Sequence, residues 1–449
     1  MSKDIRIKKG LDIKLIGEAE KTTTSISISS VYAIKPEDFH GITPKLIAKE
    51  GAVVKAGEVL FCSKADPRIL FPSPVSGKVT EVVRGDRRKV LEIKITAESK
   101  QDYKDFGGKD AANMSAQEVK NHLFASGCWP FIKQRPYDVV ANPNQAPKAI
   151  FVSGYASAPL AANLEYILQG KQAELQAAIT AVAKLTTGKV HVSVGASSNS
   201  VLAELKGVEL HKVSGPHPSG NVGTQIANID PINKGEVVWV VTPQDLLVIG
   251  ELFLTGKFNL QRTIALTGSQ FSKPQYVTAI AGASIADVTA NNLQNKNTRI
   301  INGNVLTGRQ VKIDGFLSYY DNQITAIPEG DDYEFFGWNK PVFNKISTSR
   351  ALTFSWLTPK KKYDLNTNTN GEHRAFVVTG SYEQVFPLDI YPMQLLKAFM
   401  IKDLDEMEAL GGYEVAPEDF ALTEFICVSK QPHQKIIREG LDLMRQELG

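Results

Sequence analysis

Residues 50–91 read EGAVVKAGEVL, then LFPSPVSGKVTEV, then RGDRRKVL, and these short β-type runs broken by Gly and Pro leave the chain few ways to fold. One pair of runs brackets Gly57, and a second brackets Pro72, Pro74 and Gly77. Glycine supplies positive φ where a chain turns, and proline sits where an edge must not pair. Gly51, Gly57, Gly77 and Gly85, set between alternating apolar positions, therefore predict the tight turns of a small flattened barrel.

The pattern resembles the lipoyl or biotinyl carrier fold. Carriers present one lysine on a tight hairpin tip. Here the only nearby candidate, Lys64, is followed by Asp66-Pro67-Arg68 and a longer connection. A turn lysine is far more often solvated than an anchor, so the barrel is expected to be a structural module without carrier chemistry.

A chain of 449 residues exceeds one core, and at about 100–200 residues per domain it predicts three or four units. A net charge of +3 from 51 basic and 48 acidic residues gives no clustered footprint for nucleic acid. Cys62, Cys128 and Cys427 lie too far apart for a disulfide framework or a CxxC metal site, which fits a reducing cytoplasm. The start, MSKDIRIKKG, lacks the apolar core of a signal peptide, so export is not expected. The most apolar window, 237–254, is interrupted by Pro243, Asp245 and Glu251 and falls short of the ~20 apolar residues of a spanning helix.

Between 147 and 255, strand and helix patterns alternate: strands at 149–154, 190–195, 208–213 and 237–241, helical stretches at 173–185 and 200–205, and a helix after 241. That rhythm predicts a Rossmann-like α/β domain. From 257 the rhythm becomes two strands, a helix at 285–293 and further short strands, as in a β-grasp unit turned at Gly268, Gly282, Gly303 and Gly308. Residues 358–372, with Lys360-Lys361-Lys362 and an Asn/Thr run, read as an exposed linker. Beyond Pro392 one helix carries Leu395, Leu396, Phe399, Met400 and Leu404 and stops at Gly411-Gly412, and a last amphipathic helix carries Ile436, Ile437, Leu441 and Met444. The expected units are 1–100 (N-terminal segment and barrel-sandwich module), 101–256 (Rossmann-like), 257–335 (β-grasp), 336–391 (connecting segment) and 392–449 (helical).

Several chemistries lack their signatures. No GxGxxG follows the first α/β strand, where Gly154 leads into Tyr155-Ala156-Ser157. GELFLTGKF at Gly250 misses P-loop spacing and has Phe258 where Ser or Thr would hold Mg²⁺. His191, His211 and His217 form no HExxH, and no GxSxG elbow is present. Cys427 alone cannot hold an iron–sulfur cluster.

Two segments remain as candidate sites. The loop 214–224, SGPHPSGNVGT, offers Gly215, Gly220 and Gly223 for close backbone approach and His217 as a titratable donor between prolines. It reads equally as a ligand or docking loop and as an Ω-like loop whose turns are merely fixed. In residues 126–138, SGCWPFIKQRPYD, the rings of Trp129, Phe131 and Tyr137 interleave with Lys133 and Arg135. Such a cluster suits a flat quinone head group, and it suits an interdomain joint still better, because aromatic and arginine side chains concentrate at ordinary interfaces.

With these segments in hand, the chain resembles the A-subunit family of the bacterial Na⁺-translocating NADH:quinone oxidoreductase. The resemblance rests on IKKGLDIKL at Ile7, PSPVSGKV at Pro72, RGDRRKVL at Arg84, GCWPFIKQRP at Gly127, SGPHPSGNVGTQIANIDP at Ser214, IGELFLTGK at Ile249, ING at Ile301 and FFGWNKP at Phe335, and runs nearly end to end. It implies a peripheral subunit on the cytoplasmic side of a six-subunit membrane complex that oxidises NADH, reduces quinone and exports Na⁺. It also implies that the flavins and the iron–sulfur centre sit in partner subunits, with none in this chain. The family is similar in plan to the NADH- and FMN-binding subunit of respiratory complex I, whose Gly-rich flavin loop this sequence lacks. Family members can carry a cysteine where this chain has Thr423, which further reduces the prospect of a metal at that corner.

The resemblance also implies a link to quinone, with any contact placed near 131–137 or the His217 loop. The resulting expectation is a subunit of a redox-driven Na⁺ pump that helps form a quinone site or docks on membrane partners. Its rivals are a scaffold that never touches quinone and a free-standing acyl or biotin carrier.

Overall fold

The computed structural model describes residues 2–449 apart from 295–296, 332–333, 338–339, 342, 347–354 and 378–379. Parts of the expected connecting segment therefore lie outside the described residues.

The Gly/Pro-punctuated stretch forms two small facing sheets. Strands Val31–Ile34, Val90–Ala97, Gly77–Arg84 and Val53–Val54 make one, and Pro44–Leu46, Val59–Ser63 and Leu70–Pro72 the other. Between them Phe61 and Phe71 stack with centroids 4.4 Å apart, and Phe39 packs 4.3 Å from Phe71. The glycines do not all serve as expected. Gly51 and Gly57 do turn the chain at positive φ, whereas Gly77 is needed for clearance, since a Cβ there would lie 2.1 Å from the carbonyl oxygen of Thr96. At the turn after Gly85 the left-handed conformation falls on Arg87 and Arg88 instead.

A seven-stranded sheet forms the centre of the α/β unit, in the order Asp4–Arg6, Glu209–Ser214, Lys189–Gly195, Ala149–Ser153, Val238–Val240, Lys133–Arg135, Val139–Val140. The first five strands are parallel, and the last two join antiparallel. Such a sheet is buried on both faces, and its strands read accordingly. Ile150 and Val152 face one apolar layer, and Ala149 and Phe151 face another with Ile226 and Val238. Helices Gln172–Ala183 and Pro243–Thr255 pack so closely that a Cβ at Gly250 would stand 1.8 Å from the Glu174 carbonyl oxygen. Gly250, the first glycine of the near P-loop, is thus a helix-packing glycine. The stretch 200–205 is a 3₁₀ turn, Val201–Glu204, capped by Ser200.

A six-stranded sheet follows, ordered Arg309–Val311, Thr298–Asn302, Gln323–Pro328, Gln261–Thr267, Gln275–Ile280, Glu20–Ser25. The expected helix at 285–293 is a single turn, Ile285–Val288. Asn291 turns left-handed, and the Asn292 side chain pairs with both backbone groups of Lys273 at 2.8 Å, drawing the chain out of the helix. In the C-terminal unit, the helix expected to run on to Gly411 breaks at Lys402, which is left-handed. Asp403 then caps a new helix, Leu404–Ala409. Short helix Ala421–Ile426 and long helix His433–Leu448 complete that unit. Residues 358–372 are not all exposed, because Tyr363 is buried and bridges to Leu15.

The N-terminal segment ties these units together. It gives the edge strand Asp4–Arg6 to one sheet and Glu20–Ser25 to the other, and between them it bonds to Gln384, His217 and Tyr363. Among the described residues no helix is long and apolar enough to cross a membrane.

Replacing Gly250 with Ala is expected to lower stability by about 3 kcal/mol through overpacking, despite the better helix propensity of Ala. Urea unfolding of the full chain measures this, and an unchanged midpoint would mean that the two helices part without cost.

Candidate functional site

Residues 126–138 sit where three of the units meet. The Trp129 indole donates to the Ala141 carbonyl at 2.8 Å and packs edge-on against Trp239 at 5.4 Å. Phe131 stacks on Tyr319 at 5.4 Å, with the Arg262 guanidinium 6.0 Å from its ring centroid. Both Trp129 and Phe131 are 0% exposed, so their faces are already spent on protein contacts. Next door, the Tyr320 hydroxyl donates to the Pro130 carbonyl at 2.7 Å, and Lys133 lies 4.4 Å over the Tyr320 ring.

Arg135 is 2% exposed, and it donates to Asp419 at 2.8 Å and to Glu418 at 2.5 Å. Burial works to lower the Arg135 guanidinium, but the Asp419 and Glu418 carboxylates outweigh it and hold the group above its ordinary value. Asp419 also accepts from the Ala416 amide at 2.8 Å. Gly223, in the first turn of helix Val222–Ile229, makes room for this pair: a Cβ there would lie 2.5 Å from both the Arg135 guanidinium and the Asp419 carboxylate. Tyr137, half-buried, packs against the C-terminal helices, and its carbonyl accepts from Arg438 at 2.6 Å. Arg135, Tyr137 and Gly223 are thus brought together at the seam with the C-terminal unit. Burial would raise the neighbouring Asp138 carboxyl, yet Lys133, Arg135 and Arg438 hold it below the usual range.

The His217 loop faces the N-terminal segment. The His217 amide donates to Asp12 at 2.9 Å. Its Nδ1 lies 3.0 Å from the Ser157 hydroxyl oxygen, which also accepts from the Gly220 amide at 2.7 Å. Burial pushes His217 down to about 4, leaving it neutral at ordinary pH. Gly215 and Gly220 serve clearance here. A Cβ at Gly215 would lie 2.2 Å from the Ile7 carbonyl oxygen, and one at Gly220 would lie 2.5 Å from the Ser157 amide.

At the carboxyl end of Ala149–Ser153, where open α/β sheets seat nucleotides, Leu202 and Tyr155 pack close to the backbone. A Cβ at Gly154 would meet Leu202 at 2.3 Å, and Tyr155 packs over Gly195. Lys64 is exposed beyond strand Val59–Ser63.

Two features escaped the sequence reading. A cleft of about 810 Å³ opens between the six-stranded sheet, the 364–370 loop and the C-terminal helices, floored by Ile13, Leu15, Ile301 and Ile426. None of the candidate residues named in 126–138 and 214–224 lines it. Its walls come from segments far apart in sequence, and only the Asn/Thr run hinted at them. The second feature is the group His191, Glu209 and His211, whose potential ligand atoms lie within 4.8 Å of one another. Their pairing across adjacent parallel strands is invisible without the register. The Lys3 amide donates to His211 Nδ1 at 3.1 Å, so His211 Nε2 holds the proton directed at His191 Nδ1, 3.0 Å away. A cation on that nitrogen would move the proton to face the Lys3 N–H, so the two rings are better suited to hydrogen bonding each other than to ligation.

Three family models match the chain: the NqrA N-terminal barrel-sandwich hybrid domain over residues 5–98, the NqrA second alpha/beta domain over 114–258 and an NQRA C-terminal domain over 263–312. The chain is 35% identical over 446 residues to the A subunit of the Na(+)-translocating NADH-quinone reductase of Neisseria meningitidis serogroup B, covering 99% of this chain and 100% of that one. It is 35% identical over 447 residues to the same-named protein of Haemophilus influenzae strain 86-028NP, again covering 99% and 100%. Among solved structures, an NAD+-reducing [NiFe]-hydrogenase aligns over 68% of this chain and 55% of its own at 10% identity, with a TM-score of 0.34, too low to establish a common fold.

Replacing Arg135 with Ala strands the Asp419 carboxylate without its countercharge and is expected to cost about 3–5 kcal/mol. Urea denaturation should show it, with part of the loss recovered when Asp419 is also replaced by Ala. The neutral His217 stabilises the fold fully above the ordinary histidine value of 6.5, and this contribution is lost as pH falls toward about 4. His217→Asn keeps a polar partner for Ser157 but cannot titrate, and is expected to flatten that part of the stability–pH curve, measured as melting temperature against pH.

Proposed function

The chain belongs to the A-subunit family of the Na(+)-translocating NADH-quinone reductases, and from that premise we propose that it is a peripheral, cytoplasmic-side subunit of a six-subunit complex coupling NADH oxidation and quinone reduction to Na⁺ export. In this reading the flavins and the iron–sulfur centre belong to partner subunits, and this chain contributes recognition surfaces without a redox cofactor of its own. The units are taken as 1–100, 101–256, 257–335, 336–391 and 392–449. A Rossmann-like second unit and a β-grasp third unit would follow the plan of the NADH- and FMN-binding subunit of complex I.

The observation that carries the proposal is similarity over 99% of the chain to named members of the family. Within it, docking is favoured over quinone contact at the expected rings, because Trp129 and Phe131 are fully buried and Arg135 is held by two carboxylates. A quinone reaching those rings would have to open the joint. Tyr137 and the His217 loop remain the places to test for such a contact.

Affinity purification of the tagged chain from its native membranes is expected to recover a complex that oxidises NADH with quinone, while the isolated chain does neither. Isolated protein that reduced quinone from NADH unaided would overturn the cofactor-free assignment. Titration with a short-chain quinone then separates the two roles. Saturable binding weakened in Tyr137→Ala or His217→Ala supports quinone contact, and no saturable binding in any variant supports the scaffold.

A further inference from the structure

Between Glu334 and Asp364 the sequence contains no acidic residue, yet it contains Lys340, Lys345, Lys360, Lys361 and Lys362, in a chain whose net charge is only +3. The same stretch exposes large apolar side chains. Phe335 is 82% exposed, Phe343 67%, Trp356 62% and Leu357 60%. Single exposed apolar residues need no explanation, but four on connected turns do.

Hydrogen bonds and an ion pair gather them. Lys345 pairs with Glu334 at 2.5 Å, which brings the Phe343 and Phe335 segments together. The Lys361 ammonium donates to the Phe343 carbonyl, and the Lys361 amide closes a turn onto Thr358, directly after the 3₁₀ turn Ser355–Leu357. Lys14 donating to the Pro359 carbonyl at 3.1 Å and Lys362 pairing with Glu18 at 3.3 Å moor this surface to the N-terminal segment. These contacts hold the segments of Phe335, Phe343 and Trp356 together with Lys345, Lys361 and Lys362, and Lys340 and Lys360 are exposed beside them in sequence.

We propose that this surface docks on an anionic phospholipid bilayer. Aromatic side chains settle at the boundary between headgroups and acyl chains, and lysine stems lie along them with their ammonium groups turned to phosphate. A solvated loop would account for the lysines but leaves the exposed rings without a role. A membrane-embedded protein partner fits less well. On the cytoplasmic side, an orientation that rests on the function proposed above, loops of membrane proteins carry excess Lys and Arg and would repel this surface. Headgroup phosphate attracts it.

The test is sedimentation of the full-length chain with vesicles of phosphatidylcholine alone and of phosphatidylcholine mixed with phosphatidylglycerol. The chain is expected to sediment only with the mixed vesicles, and less as salt is raised. Phe335→Ser/Phe343→Ser/Trp356→Ser should abolish sedimentation. Lys340→Glu/Lys360→Glu should weaken partitioning about 25-fold or more, since each cation near an anionic surface contributes about a fivefold factor. All these side chains are exposed, so both variants should melt at the wild-type temperature, and the charge variant stands as the reading if the aromatic one melts early. Sedimentation with neither vesicle, or equal sedimentation of wild type and charge variant, would overturn the proposal. So would loss of co-purifying membrane subunits in the charge variant with vesicle binding intact, which would assign the surface to a protein partner. Recovery of the complex with the tagged wild-type chain is scored separately, so failure here is distinguishable from failure of the functional assignment.

Discussion

Arg135 carries a permanent charge into a site only 2% exposed, and the elements around it are arranged to answer that charge. Asp419 and Glu418 arrive from the C-terminal unit, Gly223 leaves the volume the pair occupies, and the adjoining Tyr137 carbonyl holds Arg438 of the last helix. Burying an ion pair gains little by itself, because desolvation offsets much of the attraction, but breaking one side of it is expensive. Removing either side of the interaction would strand a charge at the seam between the C-terminal helices and the α/β sheet. Arg262 and Asp245, each 1% exposed, repeat the device at 2.5 Å near Phe131.

The N-terminal segment supplies the second constraint. It lends a parallel edge strand to one sheet and another to the next, and between them it passes so close to its neighbours that only glycine fits. A Cβ at Gly10 would stand 2.2 Å from the His217 carbonyl oxygen, and one at Gly17 would stand 2.3 Å from Gly268. The loop with the strongest sequence signature, 214–224, proves to be the clasp for this strap, held by Asp12, Ile7 and Ser157. Long loops rich in Gly and Pro are often functional, and here that composition also meets the geometric demand of two backbones in contact.

Both constraints bear on function in the same direction. Side chains that could have presented rings or a titratable imidazole to a ligand are employed in holding units together, and Leu202 and Tyr155 pack at the sheet's carboxyl edge. What the chain does present outward is a basic, aromatic surface moored to the strap and a cleft between the six-stranded sheet and the C-terminal helices.

Local periodicity made much of the architecture legible. The barrel's turns at Gly51 and Gly57, the strands at Ala149–Ser153 and Lys189–Gly195 and the helix Gln172–Ala183 were readable because backbone freedom, alternation and helical spacing are properties of neighbouring residues. The strand Lys133–Arg135 was not, since three residues with a charge at each end carry no period, and the break at Lys402 was hidden by an apolar pattern that ran on through it. Composition likewise marked 126–138 and 214–224 as segments of consequence without saying whether they face a ligand or one another. The contacts they make, such as Arg135 with Asp419, separated by 284 positions, and His217 with Asp12, separated by 205, lie beyond the reach of local pattern. The sequence by itself determined the kinds of unit and the residues rich in chemistry, because hydrophobic periodicity and backbone freedom act locally. Only the tertiary structure decided which distant residues they meet, because burial and the pairing of charge depend on what the rest of the chain brings to them.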